Sequence, residues 1–455
     1  MIINRDRYLK QLTAKKWNGK IKVVTGLRRC GKSFLLNTLF VEHLLKEGVK
    51  STDIIILALD EAANAKYRNP LELDAYFREL VKNKRRKYYV LLDEIQKVES
   101  IPNPYLPAES GELIGFVDVL LGLMKLPNVD VYVTGSNSKM SSKDIVTEFR
   151  DRGDEIHVCP LTFNEFYAAY EGEKRYAWRD FWHYGGMPYA MQLSSHEEKA
   201  RYLQDLFQLT YIRDVIERNK VKADTGVLET LLDITASAVG SLTNPSRLAN
   251  TFLTEQKLKI KSDTVDLYLG YFVDSYLLCK SQRYDVKGRS YISTPLKYYY
   301  SDVGLRNARL NFRQQEENHI MENVLYNELV ARGFRVDVGV VPYHWKTGDG
   351  KTIHSQLEID FIVNKGFRRI YIQSALNLTY VQSRANSESR RDAKHNVDSK
   401  EKREQEINSL MRVDDSFQKI VVVKDDIIPW TDESGIMYVG IEEFLLKRID
   451  ELLNS

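Results

Sequence analysis

The sequence has few cysteines and no long apolar run. Its three cysteines, Cys30, Cys159 and Cys279, are far apart and form neither a CxxC motif nor a cysteine–histidine pair. This spacing argues against a disulfide framework and a cysteine-type zinc site, and it favours a reducing compartment, so we expect a cytoplasmic protein. No apolar run approaches the ~18 residues of a membrane helix. The opening MIINRDRYLKQL lacks the apolar core of a signal peptide, and we expect no membrane partner.

The chain also has little net charge. Its 455 residues include 66 basic and 63 acidic side chains, which leaves a formal net charge of +3. A surface that binds nucleic acid must therefore be a local patch. The length suits about three domains of roughly 150 residues, and a hydrophobic content of 43% supplies more than one core.

The most informative stretch is GLRRCGKS, residues 26–33, which matches G-x-x-x-x-G-K-[ST] at every fixed position. A β-branched run precedes it and an apolar run at helical spacing follows, which is the strand–loop–helix context that the motif needs. Such a loop turns backbone N–H groups onto phosphates at a helix amino terminus. We expect Lys32 to reach the β- and γ-phosphates of ATP and Ser33 to bind Mg²⁺. The nucleotide-binding candidates are Gly26, Leu27, Arg28, Arg29, Cys30, Gly31, Lys32, Ser33 and Phe34.

A second pattern supplies two acids. The run YYVLLDE at residues 88–94 has the composition of a buried central strand that ends in carboxylates. We expect Asp93 to hold Mg²⁺, directly or through water, and Glu94 to polarise the attacking water. Because the P-loop motif is already present, this interpretation is preferred to a strand that merely ends in a charged turn.

A third strand, VDVYVTGSNS at residues 129–138, ends in small polar residues. Thr134, Ser136 and Asn137 are candidates to sense the γ-phosphate, and a simple polar turn is the alternative. Arg150 and Arg152 follow this strand, where an arginine would reach a γ-phosphate across a subunit interface. A finger of this kind is worth about 10³–10⁵ in rate, and a solvated basic helix end is an equal alternative.

Two further strands are predicted at residues 53–60 and 154–161, and the five together indicate a parallel α/β sheet with helices on both faces. A strand separates the two motif strands in the sequence, and a glutamate stands beside the acidic strand end. These features predict the additional-strand class of P-loop NTPases.

Taken in order, the motifs KVVTGLRRCGKS, LLDEIQKVE, VYVTGSNSKMSS, PLTFNEF, YGGMP, YIRDVIER and RYDVKG…KYYYSDVGLRNA resemble a family of prokaryotic AAA-type ATPases with a C-terminal domain of unknown function. The resemblance spans nearly the whole chain. It implies a P-loop ATPase core at residues 1–160, a helical lid at 161–224, a winged helix at 225–312 and an α/β restriction-endonuclease-like domain at 313–455. The sequence departs from the family in a long loop at 99–115 and in Arg-Asp-Arg at 150–152, where many members have Arg-Gly-Arg.

The predicted winged helix comprises three helices and a hairpin around DVKG. Its third helix contains DTVDLYLGYF, which lacks the Arg, Asn or Gln side chains that read bases. Basic residues lie instead before this helix and on the wing, at Lys257, Lys259, Lys261, Lys287 and Arg289. Contact with DNA phosphates is therefore more plausible than base reading, and docking of a protein partner is an equal alternative.

The resemblance also implies a metal site in the endonuclease-like domain, where a helix glutamate, a strand aspartate and an E/Q-x-K triplet gather Mg²⁺. Glu322, Asp360 and Gln373 occupy the matching places, and Ala375 stands at the lysine position. Without that lysine, and with at most two negative charges, we expect a domain that does not cleave nucleic acid.

Together these features predict an Mg²⁺-dependent AAA-type ATPase whose nucleotide cycle drives the appended domains. The expected partners are ATP, DNA through the winged helix, another protein, or further copies of the chain. The alternative is a nucleotide-gated switch with negligible turnover that docks DNA or a protein. A third interpretation, an active nuclease, requires Mg²⁺-dependent cutting.

Overall fold

The structure is a computed structural model that describes residues 2–135, 149, 151–219, 221, 225–255, 257–313, 316–346, 352–376 and 407–454. The chain forms two compact units. The first comprises Met1–Leu161, Met187–Thr225 and Gly270–Leu277, and the second comprises Thr162–Gly186, Gly226–Leu269 and Leu278–Ser455. Within the described ranges, no helix is both long and apolar enough to span a bilayer.

A five-stranded parallel sheet forms the centre of the first unit. The strands of this unit are β1 (Ile21–Gly26), β2 (Ile54–Ala58), β3 (Tyr88–Asp93), β4 (Ile101–Pro102), β5 (Leu113–Ile114), β6 (Val129–Thr134) and β7 (Gly153–Val158). The order across the sheet is β2-β3-β6-β1-β7, and β4 pairs with β5 as a separate hairpin within the long loop. The predicted α/β fold is confirmed. The strand that lies between the two motif strands in the sheet is β6, whereas β2 separates them only in sequence and lies at an edge.

Every residue of β1, β3 and β6 is buried, as expected of parallel strands covered on both faces. The helices of this unit are Asp6–Ala14, a continuous helix over 32–46, Pro70–Leu80, Phe116–Met124, His196–Asp205, Leu206–Ile212 and Arg213–Asn219. Asn69 caps the helix Pro70–Leu80, because its side chain accepts hydrogen bonds from the N–H groups of Leu71 and Glu72. Proline occupies the first helical position, where no N–H group is needed.

An eight-stranded mixed sheet forms the centre of the second unit. Its strands are β8 (Leu278–Asp285), β9 (Ser290–Tyr300), β10 (Arg335–Lys346), β11 (Thr352–Lys365), β12 (Arg368–Ala375), β13 (Gln418–Val423), β14 (Trp430–Thr431) and β15 (Ile436–Gly440), in the order β14-β15-β13-β12-β11-β10-β8-β9. The hairpin predicted as a wing, β8–β9, joins the strands predicted as endonuclease-like because β8 pairs with β10 in parallel.

The remaining helices are Phe163–Ala169, Ala177–Tyr184, Thr225–Ser237, Pro245–Glu255, Ser262–Asp274, Val303–Arg309, Glu317–Ala331, Ile441–Glu443, Phe444–Arg448 and Ile449–Asn454. Asn244 caps the helix Pro245–Glu255, since its side chain accepts a hydrogen bond from the Arg247 N–H at 2.7 Å. The GGMP turn requires glycine at 185, since a Cβ atom there would lie 2.2 Å from Asp302 Oδ1.

Candidate functional site

The P-loop follows β1 at the carboxyl edge of the parallel sheet. Gly26 has φ of +132°, and a Cβ atom at this position would lie 2.1 Å from the carbonyl oxygen of Val158. Only glycine therefore allows the loop to leave the strand in this direction. Gly31 has φ of +98° and directly precedes the helix that begins at Lys32. The loop thus opens onto a helix amino terminus, the geometry that binds phosphate.

Lys32 and Ser33 connect this loop to its surroundings. The Lys32 side chain is buried, and its Nζ donates to the carbonyl oxygens of Gly26 and Leu27, both at 3.0 Å. The Ser33 hydroxyl donates to Asp93 Oδ1 at 3.0 Å. The two motifs predicted to share one site are therefore in direct contact.

Asp93 ends β3 and receives hydrogen bonds from three side chains. The donors are Ser33 Oγ, Thr134 Oγ1 at the end of β6, and Asn37 Nδ2 at 3.2 Å. Asn37 Oδ1 is buried and has no hydrogen-bond partner among the residues that the structure describes, which is unusual for a native polar atom. Carboxylate, hydroxyl and amide oxygens are the ligands that Mg²⁺ and its water molecules prefer. The residues present therefore fit a magnesium ion.

Glu94 follows Asp93 in a left-handed conformation, with φ of +57° and ψ of +47°. Its N–H donates to Thr134 Oγ1 at 3.2 Å, and its carboxylate accepts a hydrogen bond from Gln96 Nε2. Such a backbone conformation costs of order 1–3 kcal/mol and is concentrated at functional sites, where the surrounding structure imposes it. The predicted catalytic carboxylate thus lies directly beside the predicted metal ligand.

A cavity of about 620 Å³ adjoins the loop within the first unit. Gly31 and Arg29 line the end at the loop, and the rest of the lining is mostly apolar with four polar or charged side chains, Arg5, Gln192, Tyr202 and Asp205. The apolar lining residues are Ile3, Phe34, Leu161, Pro188, Tyr189, Leu206 and Leu209. The size and the mixed lining are typical of a small-ligand pocket, so the arrangement can hold an apolar ring next to a phosphate group.

The other positions of the loop differ in what they can offer. Leu27 and Cys30 are fully buried, so only their backbone groups are available to a ligand. Arg28 forms a forked ion pair with Asp214, at 2.8 Å to Oδ1 and 3.0 Å to Oδ2. The Tyr211 hydroxyl donates to the Arg28 carbonyl at 2.9 Å. In this structure the Arg28 guanidinium is thus engaged by the segment YIRD.

The remaining catalytic candidates lie elsewhere or outside the described residues. Asn137 and Arg150 fall outside the residues that the structure describes. Arg152 directly precedes β7 at the amino-terminal edge of the sheet, and its carbonyl accepts from the Ile21 N–H at 3.0 Å. The P-loop lies at the opposite edge, about 20 Å away along a six-residue strand. Arg152 therefore does not reach the P-loop of its own chain, so the two interpretations that remain are a role across a subunit interface and a solvated basic residue.

In the second unit, the predicted metal-site residues lie close together. Lys297 and Glu358, which were not predicted, join them. Glu322 accepts hydrogen bonds at 2.7 Å from Lys297 Nζ and from the Tyr299 hydroxyl. The same ammonium group is 2.7 Å from Glu358 and 4.0 Å from Asp360. Although burial alone would lower it, these carboxylates raise the pKa of Lys297. The site thus has three carboxylates, so the expectation of at most two negative charges is wrong. It also has a lysine, which comes from β9 and not from the position that Ala375 occupies.

Gln373 completes this cluster by accepting the Asp360 N–H at 3.2 Å, while Ser374 donates to Asp360 Oδ2 through both its N–H and its hydroxyl. Ala375 is buried at the expected lysine position. No set of three or more His, Cys, Asp and Glu side chains in the described ranges is arranged to hold a metal.

Sequence reasoning missed several residues of the first site. Asn37 was detectable, since it lies four positions after Ser33 on one helix and therefore on the same face. Arg5, which donates to the carbonyl oxygens of Cys30 and Cys159 at 3.1 and 2.6 Å, gave no local signal.

The parallel sheet with its loop, lysine, serine and acid pair defines the class of this protein: it is a P-loop protein of the AAA type. A family model described as "AAA domain" matches residues 18–167, and one described as "Domain of unknown function (DUF8612)" matches residues 175–316. An AAA domain followed by a domain of unknown function is the order that the resemblance implies, and these two matches confirm it.

Two curated proteins and one solved structure are similar to this chain. An uncharacterized protein of Haemophilus influenzae is 28% identical over 98% of this chain and 99% of its own length. An uncharacterized protein of Methanocaldococcus jannaschii is 26% identical over 73% of this chain and 70% of its own. A solved Walker-type ATPase of Pyrococcus abyssi has 13% identity and a TM-score of 0.44, covering 68% of this chain and 96% of that one.

Proposed function

We propose that this chain binds ATP and hydrolyses it with Mg²⁺ at the P-loop of its first unit. The observation that supports this most directly is the 3.0 Å hydrogen bond between Ser33 and Asp93, which joins the phosphate-binding loop to the acid pair. The bond depends on the sheet order, because β6 places the end of β3 within reach of the helix that follows β1.

Each residue has a defined task in this proposal. Lys32 leaves the carbonyl oxygens of Gly26 and Leu27 and binds the β- and γ-phosphates, while the N–H groups at the helix start bind the same oxygens. Ser33 and Asp93 hold Mg²⁺, which neutralises charge on the transferred phosphoryl group. Glu94 orients and polarises the attacking water. The apolar cavity, with Tyr189 and Ile3 in its wall, takes the base.

Release of phosphate from ATP tests this proposal. We expect turnover by the wild-type chain, and a loss of about 10²-fold or more in Lys32→Ala, since one charged donor to the transition state is removed. Lys46→Ala, which removes an exposed lysine from the end of the same helix, is the matched control. Full turnover in Lys32→Ala would contradict the assignment.

The second candidate is a nucleotide-gated switch with negligible turnover that docks DNA or a protein. The hydrogen bond from Gln96 to Glu94 favours it, because it occupies one oxygen of the carboxylate that would polarise the attacking water. A single-turnover assay with and without DNA distinguishes the two functions. Intact ATP combined with a changed affinity for DNA would establish the switch, and release of phosphate would establish the enzyme.

We place the domains at 1–160, 161–224, 225–312 and 313–455, with the nucleotide cycle driving the winged helix and the endonuclease-like domain on DNA. Lys257, Lys259 and Lys261 are exposed and suit phosphate contacts. If Arg152 serves a neighbouring copy, the chain forms a homo-oligomer, and mass measurement with and without ATP tests this. Three free cysteines support a cytoplasmic location.

We propose that the second unit does not cut nucleic acid, because the Lys297 ammonium group already pairs with Glu322 and Glu358, which would otherwise help to gather Mg²⁺. Incubation of DNA with the chain and Mg²⁺ should leave it intact. Cutting that is lost in Asp360→Ala would overturn this part of the proposal.

A further inference from the structure

A groove of about 770 Å³ in the second unit is lined by the tips of two β-hairpins. The turn between β8 and β9 contributes Lys287 and Arg289, and the hairpin of β11 and β12 contributes Phe367, Arg368 and Arg369. The first turn lies in the predicted winged helix and the second in the predicted endonuclease-like domain. The two turns therefore form one cationic surface, and each predicted domain supplies only part of it.

Phe367 is placed at the tip of its hairpin by the turn itself. Lys365 pairs with Arg368, so the loop is only Gly366 and Phe367, with φ of +60° at the glycine. A two-residue loop of this kind holds its second residue away from the sheet. The phenylalanine ring is 94% exposed, with an arginine directly after it in the sequence. An aromatic ring presented to solvent beside cations is the surface on which single-stranded bases stack.

The cations of this groove exceed its acids. Lys287 and Arg289 are exposed, and neither pairs with a carboxylate within the described ranges. The lining contains four cations and two carboxylates, Asp414 and Asp415. Asp415 is used within the fold, since it accepts the Tyr371 hydroxyl at 2.6 Å and the Phe417 N–H at 3.2 Å.

Arg369 adds a flat surface to the groove. Its guanidinium lies 5.1 Å from the ring centre of Tyr284 and 5.7 Å from that of Phe417. Its Nε donates to Asn364 Oδ1 at 3.0 Å, which fixes its orientation. Arginine planes held in this way stack on bases and contact phosphates.

We infer that this groove binds single-stranded nucleic acid, with backbone phosphates on Lys287, Arg289 and Arg368 and an unpaired base stacked on Phe367. The inference rests on the proposed role on DNA. It adds that the nucleic acid is single-stranded and that this groove is the surface that binds it. A duplex keeps the faces of its bases stacked on one another, so the exposed ring favours the single strand.

Fluorescence anisotropy with a labelled oligo-dT strand, the full chain and no nucleotide tests this inference. We expect Phe367→Ala to weaken binding about 5- to 150-fold and Phe367→Tyr to restore it. The double variant Lys287→Ala/Arg289→Ala should reduce the slope of log affinity against log salt by about 1.4. The controls are Ile428→Ala, which removes another exposed apolar side chain, and Lys84→Ala/Arg85→Ala, which removes two exposed cations from the first unit.

A labelled oligo-rU strand and a duplex of equal length complete the design. If one strand binds more tightly, the comparison shows whether the groove prefers DNA or RNA. Either preference supports the inference that the groove binds a single strand. The inference is overturned if the wild-type chain binds no strand at about 50 mM salt, if the duplex binds as tightly, or if the groove variants match their controls. Loss of strand binding only in Lys257→Ala/Lys259→Ala/Lys261→Ala would preserve the proposed role on DNA and reject the groove. Phosphate release, measured on the same variants, should be unchanged.

Discussion

The ion pair between Lys22 and Asp130 lies inside the parallel sheet, on the strand that leads to the P-loop and on β6. Lys22 is 0% exposed and Asp130 is 3% exposed, and Lys22 Nζ donates to Asp130 Oδ1. Burial lowers the pKa of Lys22 and thereby opposes its charge. Asp130 Oδ2 also accepts the Trp17 N–H at 3.0 Å and the Tyr132 hydroxyl at 2.8 Å. Removing one partner therefore leaves the other charge in a nearly dry environment.

We expect Lys22→Met to destabilise the first unit by about 3 kcal/mol, the lower part of the 3–5 kcal/mol range for breaking a buried pair. We expect the lower part of this range because Trp17 and Tyr132 still donate hydrogen bonds to the Asp130 carboxylate after Lys22 is removed. The double variant Lys22→Met/Asp130→Asn removes both charges and keeps an acceptor for those two donors, so it should recover most of the loss.

Hydrogen exchange in increasing urea, read on peptides from β1 and β6, measures the free energy of opening of this unit separately from the second. If the Lys22→Met variant were within about 1 kcal/mol of the wild type, the buried charge of Asp130 would not need its partner. A double variant that loses the sum of both single changes would likewise contradict a coupled pair, because the two charges would then be independent.

Three further predictions concern the candidate nucleotide site and the stability of the second unit. Glu94→Gln should retain ATP binding, measured by equilibrium dialysis, but lose about 10²–10⁴-fold in phosphate release; turnover near the wild-type rate would contradict its role. Asn37→Ala should raise the Mg²⁺ concentration needed for half-maximal turnover, because Asp93 loses a positioning donor; an unchanged Mg²⁺ titration would count against this. Burial raises the pKa of Asp302 to about 6 from 3.8, so the contribution of this one carboxyl group to the stability of the second unit should be complete below pH 3.8 and fall by about 3 kcal/mol as pH rises through 6. Asp302→Asn should flatten that loss in unfolding experiments across pH, and an equal slope in both proteins would contradict the assignment.

The sequence allowed prediction of those parts of the site whose residues are adjacent along the chain. The P-loop from Gly26 to Ser33 is one contiguous motif, and Asp93 and Glu94 end a strand whose composition indicates burial. Their meeting could be predicted because parallel strands end at one edge of a sheet. The identity of the strand between them could not, since β2 and β6 have similar local sequences and only tertiary pairing decides their order.

Residues that act through tertiary contacts gave weaker signals. Lys297 stands in PLKYYY, which indicates a strand, yet its burial beside Glu322 depends on how β9 packs against the helix Glu317–Ala331. Glu358 lies two positions before Asp360 on β11, and side chains two positions apart on a strand point to the same face. This spacing could have indicated Glu358, but the search for an E/Q-x-K triplet did not include it. The groove at Phe367 required the pairing of β8 with β10, which joins two regions that motifs assign to different domains.

A crystal structure with a nonhydrolysable ATP analogue and Mg²⁺ tests the central claim most directly. We expect Lys32 Nζ to leave the carbonyl oxygens of Gly26 and Leu27 for the β- and γ-phosphates, Ser33 and Asp93 to hold the metal, and the base to occupy the 620 Å³ cavity. An analogue bound elsewhere, or a loop that keeps Lys32 on its own carbonyl oxygens at saturating analogue, would contradict it.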